Sequence, residues 1–360
     1  MDPTPAAYAI RIRGHLGDTV LSAFPVLESR RHGADTVLTG LLDRSALYGV
    51  LAEVEALGLD LVEVRRLMPS PRSVRPLPYG PRVIPRNAQI LDQIRAEALA
   101  RDIPADDVRR WLELVRPCAL LTGGGDGPVV GRFGGPVLLP PGAEDPWFPL
   151  IATIDCAALP PDTTDLALPA DGRLLLFGFP DVDAYASSMG EVVYVPAGAE
   201  IEERAAYPPH YPLDENAEIY QEFPRGELHL TADISLPFAG TVELHEAPWS
   251  APLPGHPHSE ALAEVWADQW GGAPLVIGGY GTDFNGGDSV GAAAFFAVEA
   301  EKAGTRPGSG PTSPHAEDWV LLAECHVSRP GGASIFWAIQ RDDLIALRFD
   351  RAQVVVDWNP

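Results

Sequence analysis

The chain has 360 residues, of which 46% are apolar and 21% charged, and its formal net charge is −24. This composition supports a folded core and excludes disorder as its main state. A field of that sign repels phosphate backbones and anionic lipids, so nucleic acids and membranes are poor partners. No apolar run reaches the ~18 residues of a membrane-spanning helix. The N-terminus lacks a secretory signal pattern and only three scattered cysteines occur, so we expect a cytoplasmic protein.

The negative charge is concentrated after residue 117. Residues 1–68 carry 7 Arg against 9 acids, residues 69–117 carry 9 against 6, and residues 118–360 carry 10 Lys and Arg against 35 acids, a net charge of −25. Such an excess favours a basic protein partner, although it would also serve solubility alone. Lys302 is the only lysine, and the sequence around it is rich in glycine and proline. A Walker A loop and a Schiff-base lysine are therefore excluded, and we predict no cofactor.

Residues 7–67 resemble a small separate domain with the element order β-(β)-β-α-β. Alternating apolar residues at 8–13 and 36–42 predict strands, and residues 21–29 could form an optional third. Apolar residues at helical spacing follow and end at Gly58, a typical position after a helix. Because one helix covers only one face of a sheet, the other face must dock on the main domain, a second copy or a partner.

Residues 69–87 form a Pro/Arg-rich segment, which predicts a semi-rigid polyproline linker. Residues 75–81 also match R-x-x-P-x-x-P, a ligand pattern for aromatic grooves, but a plain linker is the favoured interpretation. Residues 88–360 form the main domain, which opens with two helices. A glycine turn, a strand with an acid near its end and an apolar strand then occur twice, as FGG, LIATIDC and GRLLLFGF and as IGG, VLLAECH and ASIFWAI. This repetition predicts a sheet of two related halves, in which Asp155 corresponds to Glu324.

Several blocks of the main domain resemble the YwqG-like family, a bacterial group defined as a domain of unknown function. They are GRFGGPVLLPPGAEDPW, PLIATIDCAALP, GRLLLFGF, LVIGGYGTDF, DWVLLAECHV, SIFWAIQRDDL and FDRAQVVVDW. The resemblance covers about residues 88–360 and implies an α+β fold with a mixed, largely antiparallel sheet and no established activity. By analogy with similar small bacterial families, it suggests an immunity-like or interaction role. The family's histidine before the later glycines and its Pro-Gln after them are replaced here, so their roles do not carry over.

The sequence GDSVG at 287–291 matches the G-x-S-x-G pattern of a nucleophile elbow, with Ser289 as the candidate nucleophile. That motif needs a strand running directly into its first glycine, whereas TDFNG intervenes here and no series of βαβ units precedes it. The favoured interpretation is a glycine-rich helix start that Ser289 or Asp288 caps. A hydrolase using Ser289 remains the alternative.

Two groups of residues contain metal-ligand types. Asp283 and Asp288 lie in DFNGGD, but Ala294 occupies the twelfth position, which excludes an EF-hand and leaves an irregular calcium loop or an Asx-rich turn. His256 and His258 are zinc-capable, but they lie in a loop without a third ligand at fixed spacing. We predict no bound metal, with these two groups as the alternatives.

The sequence therefore predicts a non-enzymatic binding protein with an acidic surface and a basic protein partner. The alternatives are a hydrolase, using Ser289 or a metal near Asp283 and Asp288, and a structural module that dimerises through residues 7–67. An acid that ends a dense apolar strand can stand beside a cleft, but it more often caps the strand or pairs with an arginine. The candidate binding residues are Arg132, Trp147, Asp155, Asp283, Asn285, Asp288 and Glu324.

Overall fold

The computed structural model describes residues 6–14, 16–21, 23–24, 27–32, 35–42, 44–67, 85–179, 188–204, 223–243, 250–282, 288–327 and 333–358. The chain divides into two units, Met1–Arg82 and Val83–Pro360. Most of the predicted linker at 69–87 lies outside the described residues. Its last three residues belong to a helix that begins at Pro85, so the helical start of the main domain was placed too late in the sequence.

The first unit contains a four-stranded antiparallel sheet in the order β2-β3-β1-β4. Its elements are β1 (Ala6–Arg13), α1 (Asp18–Leu21), β2 (Glu28–His32), β3 (Asp35–Leu42), α2 (Arg44–Ala56) and β4 (Leu61–Leu67). Ile10 and Ile12 alternate on β1 and pack in a small core with Leu38 of β3 and Val54 of α2. The two main predicted strands and the helix are confirmed. The optional strand at 21–29 is wrong for most of its length, because β2 begins only at Glu28.

The second unit is built on a ten-stranded antiparallel sheet. Its strands are β5 (Arg116–Thr122), β6 (Val129–Phe133), β8 (Leu150–Asp155), β9 (Arg173–Gly178), β10 (Gly190–Val195), β12 (Gly226–Ser235), β15 (Leu275–Gly278), β16 (Trp319–Val327), β17 (Ala333–Gln340) and β18 (Gln353–Trp358). Two ribbons pair β7 (Val137–Leu139) with β11 (Glu202–Arg204) and β13 (Thr241–Glu243) with β14 (Ser250–Pro252). The helices are α3 (Pro85–Ala100), α4 (Ala105–Leu112), α5 (Ser259–Gln269), α6 (Ser289–Lys302) and α7 (Arg341–Ile345). The prediction of an α+β fold with a large antiparallel sheet is confirmed.

The two edges of this sheet meet, so the sheet nearly closes into a barrel. The amide of Met189, beside β10, donates a hydrogen bond to the carbonyl of Val354 in β18 at 3.0 Å. The indole of Trp337 donates across the interior to the carbonyl of Phe177 at 2.9 Å. Nearly closed pairing leaves little unpaired strand edge, and the apolar side chains that face inward form the main core.

The strand order divides into two halves. It reads β10-β9-β8-β6-β12 and then β5-β15-β16-β17-β18. We call these the first half and the second half. Each contains a strand that ends at a glycine pair, at 134–135 or 278–279, and all four glycines have positive φ angles. The two strands in the middle of the sheet do not follow chain order. β5 precedes β6 in the sequence but lies beside β15, whereas β12 follows β10 but lies beside β6. The two glycine pairs thus occupy similar positions in the two halves of the strand order.

A β-bulge marks the same place in both halves. The pairing of β8 with β9 skips Ile151, and the pairing of β16 with β17 skips Leu322. Counting from the bulges, Thr153 is the counterpart of Glu324. The predicted equivalence of Asp155 with Glu324 is therefore wrong by two residues along the strand. The two repeats have different loop lengths, so only the cross-strand pairing fixes their register.

Helices cover parts of the barrel differently. Helices α3, α4 and α5 form one layer around the buried indoles of Trp111 and Trp266. Helix α6 packs on β16, β17 and β18 through small residues such as Ala293 and Ala297. Among the residues with described structure, none of the helices combines the length and apolarity needed to cross a membrane.

A buried ion pair holds the long connection after α6. Arg351 is only 2% exposed, and its Nε lies 3.0 Å from Oδ2 of Asp343. The same guanidinium donates to the carbonyl of Gly310 at 3.0 Å and to that of Pro307 at 3.3 Å. This connection is rich in glycine and proline, yet a buried side chain holds its backbone carbonyls. Lys302 lies before it, as the last residue of α6.

Candidate functional site: a charged cleft on the first half of the sheet

A cavity of about 540 Å³ lies over the outer face of β6, β8 and β9. Its walls include Pro136 and Leu138, which belong to the chain around β7. Its polar lining is Arg132, Thr153, Asp155, Arg173 and Glu227. We call this cavity the cleft.

Two cross-strand rows build the floor of the cleft. In the first row, Glu227 of β12 pairs with Arg132 of β6, which pairs in turn with Thr153 of β8. In the second row, Asp155 of β8 pairs with Arg173 of β9. Alternate residues of a strand point to opposite faces, so the residues between them fill the barrel core while these face outward. Each row therefore places a carboxylate and a guanidinium on neighbouring strands.

A second hollow of about 290 Å³ adjoins the cleft and shares Asp155 and Arg173 with it. Its other wall is the turn after β10, from Val195 to Ile201. The two hollows form one groove with a charged pair of residues at their junction. A groove of this kind suits an extended ligand better than a compact one.

The glycine pair at 134–135 makes room for Arg132. Gly135 has φ +98°, and a Cβ atom there would lie 2.5 Å from Nε of Arg132. The turn also returns to the bulge, because the amide of Gly134 donates to the carbonyl of Ile151 at 2.8 Å. A residue with a side chain at 135 would both strain the backbone and displace the guanidinium.

The arginines of the cleft differ from the other arginines of the second unit that the structure describes. Arg132, Arg173 and neighbouring Arg225 make no hydrogen bond or ion pair with any residue that the structure describes. Every other arginine with a described side chain in the second unit has such a partner. They are Arg95, Arg101, Arg109, Arg110, Arg116, Arg204, Arg306, Arg341, Arg348 and Arg351. Among the described residues of this acidic domain, the arginines without a partner are thus gathered at and beside one cleft.

The predicted acids do not meet in one site. Asp155 is half-buried, lines the cleft and accepts a hydrogen bond from the amide of Ala157 at 3.0 Å. Glu324 lies in the second half, is 3% exposed and accepts hydrogen bonds from the amide of Thr282 at 2.9 Å and from its hydroxyl. Arg132 is exposed, so of these three residues only Glu324 is buried.

The G-x-S-x-G segment forms the start of α6. Asp288 caps the helix and accepts a hydrogen bond from the amide of Val290 at 3.1 Å. The hydroxyl of Ser289 lies against the backbone of Gly281, where an added Cβ would be 2.2 Å away from it. The favoured interpretation of a capped helix start agrees with this geometry. Asp283 and Asn285 lie outside the described residues.

The remaining candidates have separate contacts. Nδ1 of His258 lies 2.5 Å from Oδ2 of Asp107, whereas the ring of His256 packs edge-on against Trp111. Trp147 is 66% exposed and donates its amide to Glu191, away from the lining of the cleft. Within the described ranges, no three histidine, cysteine or acidic side chains are placed to hold one metal ion.

Cysteine chemistry is disfavoured near the cleft. Cys156 follows Asp155, but its thiol is buried in the barrel core. Burial, together with the charge of Asp155, raises its pKa to about 12. Burial likewise raises the pKa of Cys325 to about 12. Both thiols therefore stay protonated at neutral pH and are poor nucleophiles.

Comparison with known proteins gives two local similarities. Residues 7–65 match the model of a family described as Domain of unknown function (DUF8691). A protein named indole-3-glycerol phosphate synthase, from Parafrankia sp. (strain EAN1pec), is 40% identical over 92 residues, which are 24% of this chain and 33% of that protein. The chain thus matches about a third of the length of this relative. The name describes that protein, and the shared segment is too short to transfer its activity.

Proposed function

We propose that this chain is a non-enzymatic binding protein of the cytoplasm and that the cleft is its binding site. One observation carries the proposal. The cleft gathers Arg132 and Arg173, which lack partners among the described residues, beside Asp155 and Glu227. A concave site with a small number of polar groups is the usual form of a binding site. Of the described residues that line the cleft, the polar ones are arginine, threonine and acidic residues.

The partner in this proposal is another protein with a basic surface. The 118–360 segment has a net charge of −25, which attracts such a surface over a distance of about a Debye length and speeds the encounter. The cleft and its adjoining hollow would then receive an extended segment of that partner. In this account the acidic surface steers the partner and the groove selects it.

Filling the cleft tests the proposal. Thr153→Trp places a large ring between Arg132 and the buried Leu175 on the outer face of the sheet. We expect affinity capture from extracts of the source cell to lose a partner that the wild-type chain retains. Thr231→Trp, at an exposed threonine of β12 outside the cleft lining, is the matched control and should retain it. A partner that Thr153→Trp, with unchanged melting temperature, retains in full would contradict the proposal.

We also propose that residues 88–360 are a YwqG-like domain with two related halves. The quoted blocks support this, because the first three lie on β6 to β9 and the later ones on β15 to β18. Its immunity-like role is part of the same proposal and rests only on analogy.

The alternatives remain hydrolysis and dimerisation. Hydrolysis would use Ser289, whose hydroxyl lies against Gly281, and loss of ester turnover in Ser289→Ala would favour it. A metal near Asp283 and Asp288 would be found by metal analysis of the purified protein. Dimerisation would use residues 7–67, and light scattering of the full chain measures its mass directly.

A further inference from the structure

We infer that the cleft binds an anionic group, specifically the carboxylate of an acidic peptide segment, between the guanidiniums of Arg132 and Arg173. The inference rests on the proposed function, because it assigns a ligand class to the same site. The inferred ligand is negatively charged, whereas the net charge of the whole domain favours a basic partner. A partner with a basic surface and an acidic segment would satisfy both features.

The inference is supported by the partners of the described arginines. An arginine in an acidic domain has many carboxylates available, and ten of the arginines described above are paired or hydrogen-bonded. Arg132 and Arg173 have no such partner among the described residues, although each has an acid directly opposite on the next strand. Their guanidiniums therefore keep their donors for a ligand, and planar forks of donors match a carboxylate.

The positions of the two arginines on the sheet also support the inference. Arg132 on β6 and Arg173 on β9 are separated by one strand and are offset by two residues along the sheet. Strand spacing and residue rise place their Cα atoms roughly 12 Å apart on the same face. Two long side chains at that separation can approach one anionic group from both sides.

The two acids beside these arginines limit what other groups the ligand can carry. Asp155 and Glu227 would repel a second carboxylate and attract amide or ammonium donors of the same ligand. A peptide segment supplies a carboxylate together with such donors. The net charge of the domain opposes this weakly, since screening at physiological salt limits it to about 8 Å, whereas the arginines would act in direct contact.

The test titrates the full chain with two glycine hexapeptide amides, one carrying a single Asp and one carrying a single Lys at the same position. Binding is followed by NMR of the arginine Nε–Hε groups and by calorimetry. We expect the acidic peptide to shift the signals of Arg132 and Arg173. Arg132→Gln and Arg173→Gln should each weaken its binding about tenfold or more. Arg95→Gln, whose partner Asp92 lies on its own helix, should leave the affinity unchanged.

Three results would overturn the inference. The acidic peptide could fail to bind, or it could bind equally well to both cleft variants. The lysine peptide could instead bind, with its affinity lost in Asp155→Asn. That last result would leave the cleft as the binding site but reverse the ligand class. Failure of the proposed function is separate, because it appears as an unchanged partner in Thr153→Trp. Melting temperatures of the variants show that each is folded.

Discussion

The two halves of the barrel use charged residues in opposite ways. In the second half, Glu324 is buried against Thr282, and Arg351 is buried on Asp343. In the first half, Arg132 and Arg173 stand exposed in an open cleft. A helix, α6, covers the second half, whereas the short β7 ribbon borders the first. Charged residues are therefore buried and paired in the second half, whereas those of the first half line an open cleft.

The largest loss of unfolding free energy should come from breaking the buried ion pair of Arg351 and Asp343 in the second half. Arg351→Met removes the buried one of the two arginines that pair with Asp343, together with its hydrogen bonds to the carbonyls of Gly310 and Pro307, and should cost about 3 kcal/mol of unfolding free energy. Arg348 also pairs with Asp343, but its side chain is 43% exposed. Arg348→Met should therefore cost about 1 kcal/mol or less. Urea unfolding measures both values, and equal losses would show that burial does not separate the two arginines.

The same carboxylate should make stability depend on pH. Burial alone would raise the pKa of Asp343, but hydrogen bonds from Gln340, Arg348 and Arg351 outweigh it and hold the pKa below its ordinary value of 3.8. The stabilisation is present above that ordinary value and is lost as the pH falls through the lowered folded value. Arg351→Met should show a weaker dependence in this acid range. A parallel curve for the two proteins would assign the acid sensitivity to other groups.

The next largest difference in unfolding free energy should be between changes at Glu324 of β16 and at Thr153 of β8. Glu324→Ala leaves the buried amide and hydroxyl of Thr282 without an acceptor and should cost about 2–4 kcal/mol. Its counterpart Thr153 is half-exposed in the cleft, so Thr153→Ala should cost less than about 1 kcal/mol. Both are measured by urea unfolding. Similar losses would mean that the first-half position is structural as well.

The glycine pairs offer a third comparison. A Cβ at Gly279 would lie 2.7 Å from Cβ of Ser235, next to the strand backbone, and φ is +73°. Gly279→Ala should therefore cost about 2–3 kcal/mol. Gly135→Ala meets only the flexible side chain of Arg132 and should cost about 1–2 kcal/mol. Thermal unfolding checks the order of the two effects, and the reverse order would contradict the contacts described for each glycine.

The smallest effect on stability should come from the cleft itself. Arg132→Gln and Arg173→Gln should each change the unfolding free energy by no more than about 0.5 kcal/mol, since neither side chain has a partner to lose among the described residues. Urea unfolding of both variants checks this value. A loss above about 2 kcal/mol would place these arginines among the structural charges and remove the contrast between the halves.

The sequence predicted helices and strands better than it predicted which strands lie next to one another. Apolar alternation located β1 and β3 of the first unit, and the repeated blocks located β8, β9, β16 and β17 of the barrel. The cleft could not be assembled in the same way. Arg173 and Leu175 alternate with core leucines, but a dense apolar strand does not show which of its faces is open. Glu227 reaches the cleft because β12 pairs with β6, a contact between segments about a hundred residues apart.

The register between the halves was hidden for a related reason. The bulges at Ile151 and Leu322 leave no clear trace in the residue pattern, and the connections between the repeated blocks differ in length. The nearest acids were therefore equated, although Thr153 is the true counterpart of Glu324. Buried charges were also difficult to identify, because Arg351 lies in a polar segment and its burial depends on carbonyls contributed some forty residues earlier.

The most direct test of the account is a crystal structure of the full chain with the glycine peptide that carries the single Asp. The account predicts peptide density in the cleft, with one carboxylate within hydrogen-bonding distance of Arg132 and Arg173 and the second half unchanged under α6. Density elsewhere on the protein, or a peptide in the cleft that leaves both guanidiniums without a contact, would contradict it.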